Sequence, residues 1–113
     1  MPDGATAPVA VAHLRITDEL DLATTPGLRR DVERALLNRP QTLAVDLSGC
    51  PFAGVDALEV LAELTAVGRQ QGTTVVLLGL RPIVRQAITL LGLDGSLLYG
   101  RAPRPRAARE GGR

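Results

Sequence analysis

Three apolar runs with strand character and three stretches of helical spacing alternate along the chain. "VAVAHLRI", Val9 to Ile16, predicts a strand with Ala10, Ala12, Leu14 and Ile16 on one face and His13 on the other, beside Val11 and Arg15. The polar "TDELDLATTP" reads as a turn. Thr25 as N-cap and Pro26 at the first helical position then open a helix with Leu28, Val32, Ala35 and Leu36 on one side, which Asn38 and Pro40 end. "TLAVDL", Thr42 to Leu47, is a short strand closed by Ser48 and Gly49, and "TTVVLLG", Thr73 to Gly79, is a continuous apolar run of the kind covered on both faces. Between them a helix from about Ala57 to Gln71 repeats Leu58, Leu61, Leu64 and Val67, with Gly72 as its stop. A third helix starts at Pro82, buries Ile83, Val84, Ala87, Ile88 and Leu91, and meets a left-handed stop at Gly92, and "SLLY" offers a last edge strand.

Strands alternating with helices predict an α/β fold with a mostly parallel central sheet of four to five strands and three or more helices, because parallel neighbours need a crossover and a helix supplies it. Residues 9–99 form the expected domain, residues 1–8 a flexible lead-in and residues 100–113, rich in Arg and Pro, a disordered tail with too little apolar content to fold. At 113 residues one core is what the chain can fill.

Composition narrows the chemistry. Phe52 and Tyr99 are the only aromatic residues, so no stacking platform for bases exists and specific nucleic-acid binding is not expected. The net charge of +1 divides into +4 on residues 101–113 and −3 on residues 1–100. Neither a bilayer-spanning apolar run nor a secretory signal is present, so the expected location is the cytoplasm without membrane insertion. Cys50 is the single cysteine, which rules out an intrachain disulfide and a multi-thiolate zinc site, and it reads as an inert, partly buried thiol. No metal site or cofactor is called for. No Gly-rich phosphate loop occurs either, and no nucleophile is paired with a base, so the chain does not read as an enzyme.

Several separated features, taken in order, resemble the STAS domain of bacterial anti-sigma-factor antagonists. They are the acid-rich turn with Asp21, the Asp-Leu-Ser-Gly strand end at 46–49, the helix entrance after Phe52, and the Leu-Gly-Leu near the end of the last helix. The resemblance covers roughly residues 9 to 99. It implies a partner-switching signalling module in the control of transcription, which binds an anti-sigma factor that is also a GHKL-type serine kinase. In that family the kinase phosphorylates a serine at the entrance of the second helix, within Phe, an apolar residue, Asp-Ser-Ser-Gly-Leu. Here the stretch is Phe52-Ala53-Gly54-Val55-Asp56-Ala57-Leu58, so Asp56 stands at the position of the family phosphoserine.

Asp56 also has a purely local reading. As N-cap it would accept bonds from free amides, with Glu59 reaching back in a capping box and Val55 packing on Val60. The regulatory reading adds that a site gaining about −1.5 to −2 charge in relatives holds a fixed −1 here. A receiver-type acyl phosphate is disfavoured because the chain has no Lys. The expected partner-binding residues are Asp21, Ala53, Gly54, Val55, Asp56, Ala57 and Glu59, with no catalytic residue among them, and a homodimer stays open. The competing reading is a STAS-like soluble subunit of a lipid-transport ABC complex, for which loss of the serine is no handicap.

Overall fold

The computed structural model describes residues 10–100. The elements run β1 (Val11–Arg15), α1 (Thr25–Leu36), β2 (Thr42–Asp46), α2 (Val55–Gln70), β3 (Thr74–Leu78), α3 (Pro82–Leu90), a 3-10 turn (Asp94–Ser96) and β4 (Tyr99–Gly100). The four strands lie in the order β1-β2-β3-β4, all parallel, with Val11 opposite Thr42, Thr42 opposite Thr74, and Leu77 opposite Tyr99. The predicted α/β architecture is therefore what the chain adopts.

Crossovers between parallel strands are right-handed, and strands laid down in sequential order then put every crossover helix on the same face of the sheet. The core follows that rule. Leu43, Val45, Val75 and Leu77 of the strands join Leu28, Val32 and Leu36 of α1, Leu58, Leu61 and Leu64 of α2, and Val84 and Ile88 of α3 in a single buried cluster. The opposite face carries Val11, His13 and Arg15 exposed, with Thr42, Asp46, Val76 and Leu78 half-buried. The run at Thr73–Gly79 is thus covered on one face only, contrary to the two-sided burial expected from its apolar continuity.

Several local expectations are corrected. Val67 is 41% exposed, and the buried stripe of α2 continues instead through Thr65 and Gly68. Ile83 and Leu91, expected in the core, lie 54% and 38% exposed because only Val84 and Ile88 of α3 point at the sheet. The last helical stops are as expected: Gly72 at φ +90° and Gly92 at φ +73° adopt the left-handed conformation that a side chain resists. α1 starts at Thr25 rather than after it. Gly100, assigned to the tail, closes β4, while the lead-in at 1–8 and the rest of the tail lie outside the described residues.

β4 is only two residues long, and side chains hold it. Tyr99 donates its hydroxyl to Asp94 Oδ1 at 2.9 Å, Arg85 of α3 lies 5.2 Å from the centre of its ring, and the Leu77 amide donates to the Leu98 carbonyl at 2.8 Å.

Candidate functional site

Parallel strands deliver all their carboxyl ends to one edge of the sheet, and the loop after β1 meets the loop after β2 there. The Leu20 amide donates to the Phe52 carbonyl at 2.9 Å and the Gly54 amide to the Leu20 carbonyl at 2.8 Å, so Leu20 and Ala53 form a parallel bridge beyond the ends of β1 and β2. The side chains on either side of this bridge are buried, Leu20 at 3% and Ala53 at 2% exposure, which anchors both loops to the core. This bridge brings the Asp21 turn and the entrance of α2, 30 residues apart and more, to a common surface.

The Asp21 turn is rigid for a reason readable atom by atom. The Asp21 amide donates to Thr24 Oγ1 at 2.8 Å while the Thr24 amide donates to Asp21 Oδ1 at 3.0 Å, a reciprocal pair of the capping-box kind one turn ahead of α1. The Thr25 hydroxyl donates to the Asp21 carbonyl at 2.6 Å. The Thr24 amide, and then its hydroxyl, hold the Asp21 carboxyl below its ordinary range. Asp21 is accordingly an exposed anion fixed in position.

The entrance of α2 differs from the expectation. The N-cap is Gly54, in extended backbone at φ −78° and ψ 173°, and its carbonyl accepts from the Leu58 amide at 3.1 Å. Asp56 lies within the first turn, two residues too late to cap, so the capping box expected with Glu59 and the staple of Val55 on Val60 do not form; the box occurs at Asp21 and Thr24 instead. Asp56 still sits where the helix dipole favours a negative charge, and its side chain is exposed, as is that of Glu59.

Asp21, Leu22, Gly54, Val55, Asp56 and Ala57 line a groove of about 270 Å³. Its walls are apolar and uncovered, Leu22 being 76% and Val55 50% exposed, and Phe52 beside it is 48% exposed. Ala53 and Ala57 are buried, so they shape the groove from beneath and offer little side-chain surface to a partner. Leu22 and Phe52 join the site although the sequence reading left them out. The second leucine of "DELDLATT" was the available signal: with Leu20 turned into the core, Leu22 two residues on is left outside. A larger hollow of about 460 Å³ on the other side of the same turn is lined by residues including Arg15, Asp18, Arg30 and Asp31.

The remaining candidates are structural. Cys50 is 1% exposed, its Sγ lies 3.2 Å from the Phe52 carbonyl oxygen, and burial pushes its thiol up, all of which fits an inert side chain. The Ser48 amide donates to Asp46 Oδ1 at 2.9 Å, shaping the strand exit. His13 lies exposed on the open sheet face. No group of three or more His, Cys, Asp or Glu side chains is placed to hold a metal ion among the described residues. No helix among them is long and apolar enough to cross a membrane.

The family model described as "Mlab, STAS domain" matches residues 4–99. The anti-sigma-F factor antagonist RsfB of Mycobacterium tuberculosis strain H37Rv is 35% identical over 98 residues, 82% of this chain and 79% of that protein. The crystal structure of an anti-sigma factor antagonist from Mycobacterium paratuberculosis superposes with a TM-score of 0.67 at 28% identity, covering 90% of this chain and 85% of the other. The Bacillus cell fate determinant SpoIIAA in its phosphorylated form superposes with a TM-score of 0.64 at 16% identity over 92% of both chains, a likeness of fold. The chain belongs to the STAS-domain family and is a relative of the anti-sigma-factor antagonists.

Proposed function

We propose that the protein is a non-catalytic binding module of the cytoplasm that docks an anti-sigma factor, of the GHKL-kinase kind, through the groove between the Asp21 turn and the entrance of α2. The observation that carries this reading is the Leu20–Ala53 bridge, which makes one surface of two loops and leaves Leu22 and Val55 uncovered between two carboxylates. Contiguous exposed apolar surface with a charged rim is the anatomy of a protein-binding site. Asp56 occupies the position of the family phosphoserine, so this helix entrance takes no phosphate and does not switch. A single carboxylate carries less charge and fewer acceptor oxygens than a phosphoserine, and it leaves the module locked in its binding state.

The test is calorimetric titration of the protein with the anti-sigma kinases encoded in its own genome, for wild type and Asp56→Ser, with and without ATP. Wild-type binding that ATP leaves unchanged, together with Asp56→Ser binding that ATP abolishes, is the expected pattern. Binding by Asp56→Ser alone would show that Asp56 acts as a permanent phosphoserine, reversing the locked state proposed. The missing serine favours one second reading, a STAS-like soluble subunit of a lipid-transport ABC complex, which needs no phosphate acceptor. Co-purification of an ATPase with a membrane permease from native lysate would establish that reading in place of the first.

A further inference from the structure

All-parallel sheets are ordinarily covered on both faces, because the crossovers that make them parallel supply helices to each side. Here α1, α2 and α3 share one core on one face, and no helix or strand among the described residues lies on the other. That helix-free face is apolar for a solvated surface. Val11 is 48% exposed on it, Val76 and Leu78 are half-buried along β3, and Ala44 lies at its centre on β2. Gly100 keeps the β4 flank low: a β-carbon there would stand 2.9 Å from Leu78 Cδ2 and 3.3 Å from Val76 Cγ1, so both side chains lean over it. The unbroken apolar run of β3 is therefore a two-sided strand of which these elements bury one side.

The charges on this face match a second copy of it. They are Arg15 on β1 and Asp46 on β2, one of each sign, with His13 neutral at pH 7. Arg15 and Asp46 are register partners on neighbouring strands, yet no ion pair joins them. Asp46 Oδ1 accepts from the Ser48 amide at 2.9 Å, the one hydrogen bond of that side chain among the described residues. A cation and an anion side by side, with uncharged surface around them, become self-complementary when a two-fold axis turns one copy onto another. With the axis along β2, β1 of each copy lies over β3 of the other at the same level, so that Val11 covers Thr74 and the stem of Arg15 covers Leu78. Ala44 then meets Ala44, small enough to let the sheets close, and the Arg15 guanidinium reaches Asp46 of the second copy.

We propose that the helix-free face of the sheet is a homodimer interface, two copies stacked sheet on sheet about an axis along β2. Four strands about 4.8 Å apart and five residues of about 3.3 Å each make a face of roughly 300 Å². Side-chain relief raises the area buried by the pair to roughly 800–1,000 Å², the small class of reversible contacts, so the dimer fills at about 0.1–1 mM chain. The groove at the entrance of α2 lies on the helix side and stays open in both copies. Self-association of this kind needs no anti-sigma factor and is measured on the chain alone.

Sedimentation velocity and methyl relaxation by a soluble gadolinium chelate, on the full chain from about 0.02 to about 1 mM, read the contact. The expected result is a rise toward dimer mass during which the methyls of Val11, Ala44, Val76 and Leu78 lose relaxation, while those of Leu37 and Leu90, 79% and 80% exposed, keep theirs. Arg15→Glu and Asp46→Lys should each stay monomeric alone, and an equimolar mixture of the two should pair about tenfold more tightly than wild type, because every contact across the axis then joins opposite charges. Asp46→Asn keeps an oxygen for the Ser48 amide and should weaken the dimer about threefold or more, which carries the test if Asp46→Lys does not fold. A chain that stays monomeric throughout, or face methyls already shielded at the lowest concentration, would overturn the proposal. So would a dimer that shields Leu22 and Val55, or Ile83 and Leu90, in place of the sheet face.

Discussion

Gly68 and Gly27 both lie in helices, and the same substitution at the two is expected to act in opposite directions. A β-carbon at Gly68 would sit 3.0 Å from Val75 Cγ2, 3.2 Å from the Thr73 carbonyl oxygen and 3.4 Å from Leu36 Cδ2. The carbonyl cannot retreat, because Thr73 is tied back by its amide donating to the Gly68 carbonyl at 2.8 Å and by its hydroxyl donating to the Pro40 carbonyl at 2.6 Å. Overpacking of this kind costs about 1–3 kcal/mol, against up to about 1 kcal/mol gained from helix propensity, so Gly68→Ala should lose about 1 kcal/mol net. A β-carbon at Gly27 meets only the tip of Arg30 at 3.7 Å, and Gly27→Ala should gain about 0.5–1 kcal/mol. Urea midpoints at unchanged m-value measure both, and a stabilised Gly68→Ala would mean that α2 packs less closely on β3 than described. Residue-scale detail was the hardest to read in advance. Asp56 was expected as a cap because an acid before an apolar stripe is the usual signal, yet the reciprocal bonds belong to Asp21 and Thr24, where Thr replaces the usual Glu or Gln partner.

Among the elements, β4 depends most on side chains for its place. Burial first, and then donation to Asp94, push the Tyr99 phenol up to about 12 from an ordinary value of 10.0. A phenol whose folded pKa lies above its unfolded one contributes stability that is intact below about 10 and is lost as pH rises through about 12. Ultraviolet absorbance of the phenolate, the chain's only tyrosine, should therefore appear near 12 in the native protein. Asp94→Asn should bring it only part of the way back, since burial remains; a native titration at the ordinary value would mean that β4 is undocked. The three helices and the first three strands were legible because each carries its own period: Leu28, Val32 and Leu36 in α1, Leu58, Leu61 and Leu64 in α2. What local period could not show was which face each strand turns to a helix. The run at Thr73–Gly79 looks two-sided, but sequential strand order with right-handed crossovers leaves one face without helices, and that is a property of the whole topology. The site was legible in part for the same reason. The family resemblance marked Asp21 and residues from Ala53 to Glu59 as candidates, whereas the exposure of Leu22 and Phe52 depends on the Leu20–Ala53 bridge.

In the molecule as a whole, stability is graded across the sheet. β2 is hydrogen-bonded on both sides, to β1 and β3, over five residues each, and its Leu43 and Val45 side chains are 0% exposed. β4 pairs with β3 over two residues and is preceded by the short Asp94–Ser96 turn, whose side chains are not buried. Amides in β2 and the centre of α2 can exchange only when the core opens, so their exchange free energy should equal that of global unfolding and fall steeply with added denaturant. Those of Tyr99 and Gly100 should exchange through local release of β4, at lower free energy and with almost no denaturant dependence. Native-state hydrogen exchange across a denaturant series checks this. Merging of the two groups at low denaturant would mean that β4 opens only with the core. The Asp21 turn belongs with the rigid side by its reciprocal hydrogen bonds and its bridge to Ala53, so the Gly54 amide, donated to the Leu20 carbonyl, should be protected well beyond other loop amides. A groove prepared in this way asks little further ordering of itself when a partner arrives.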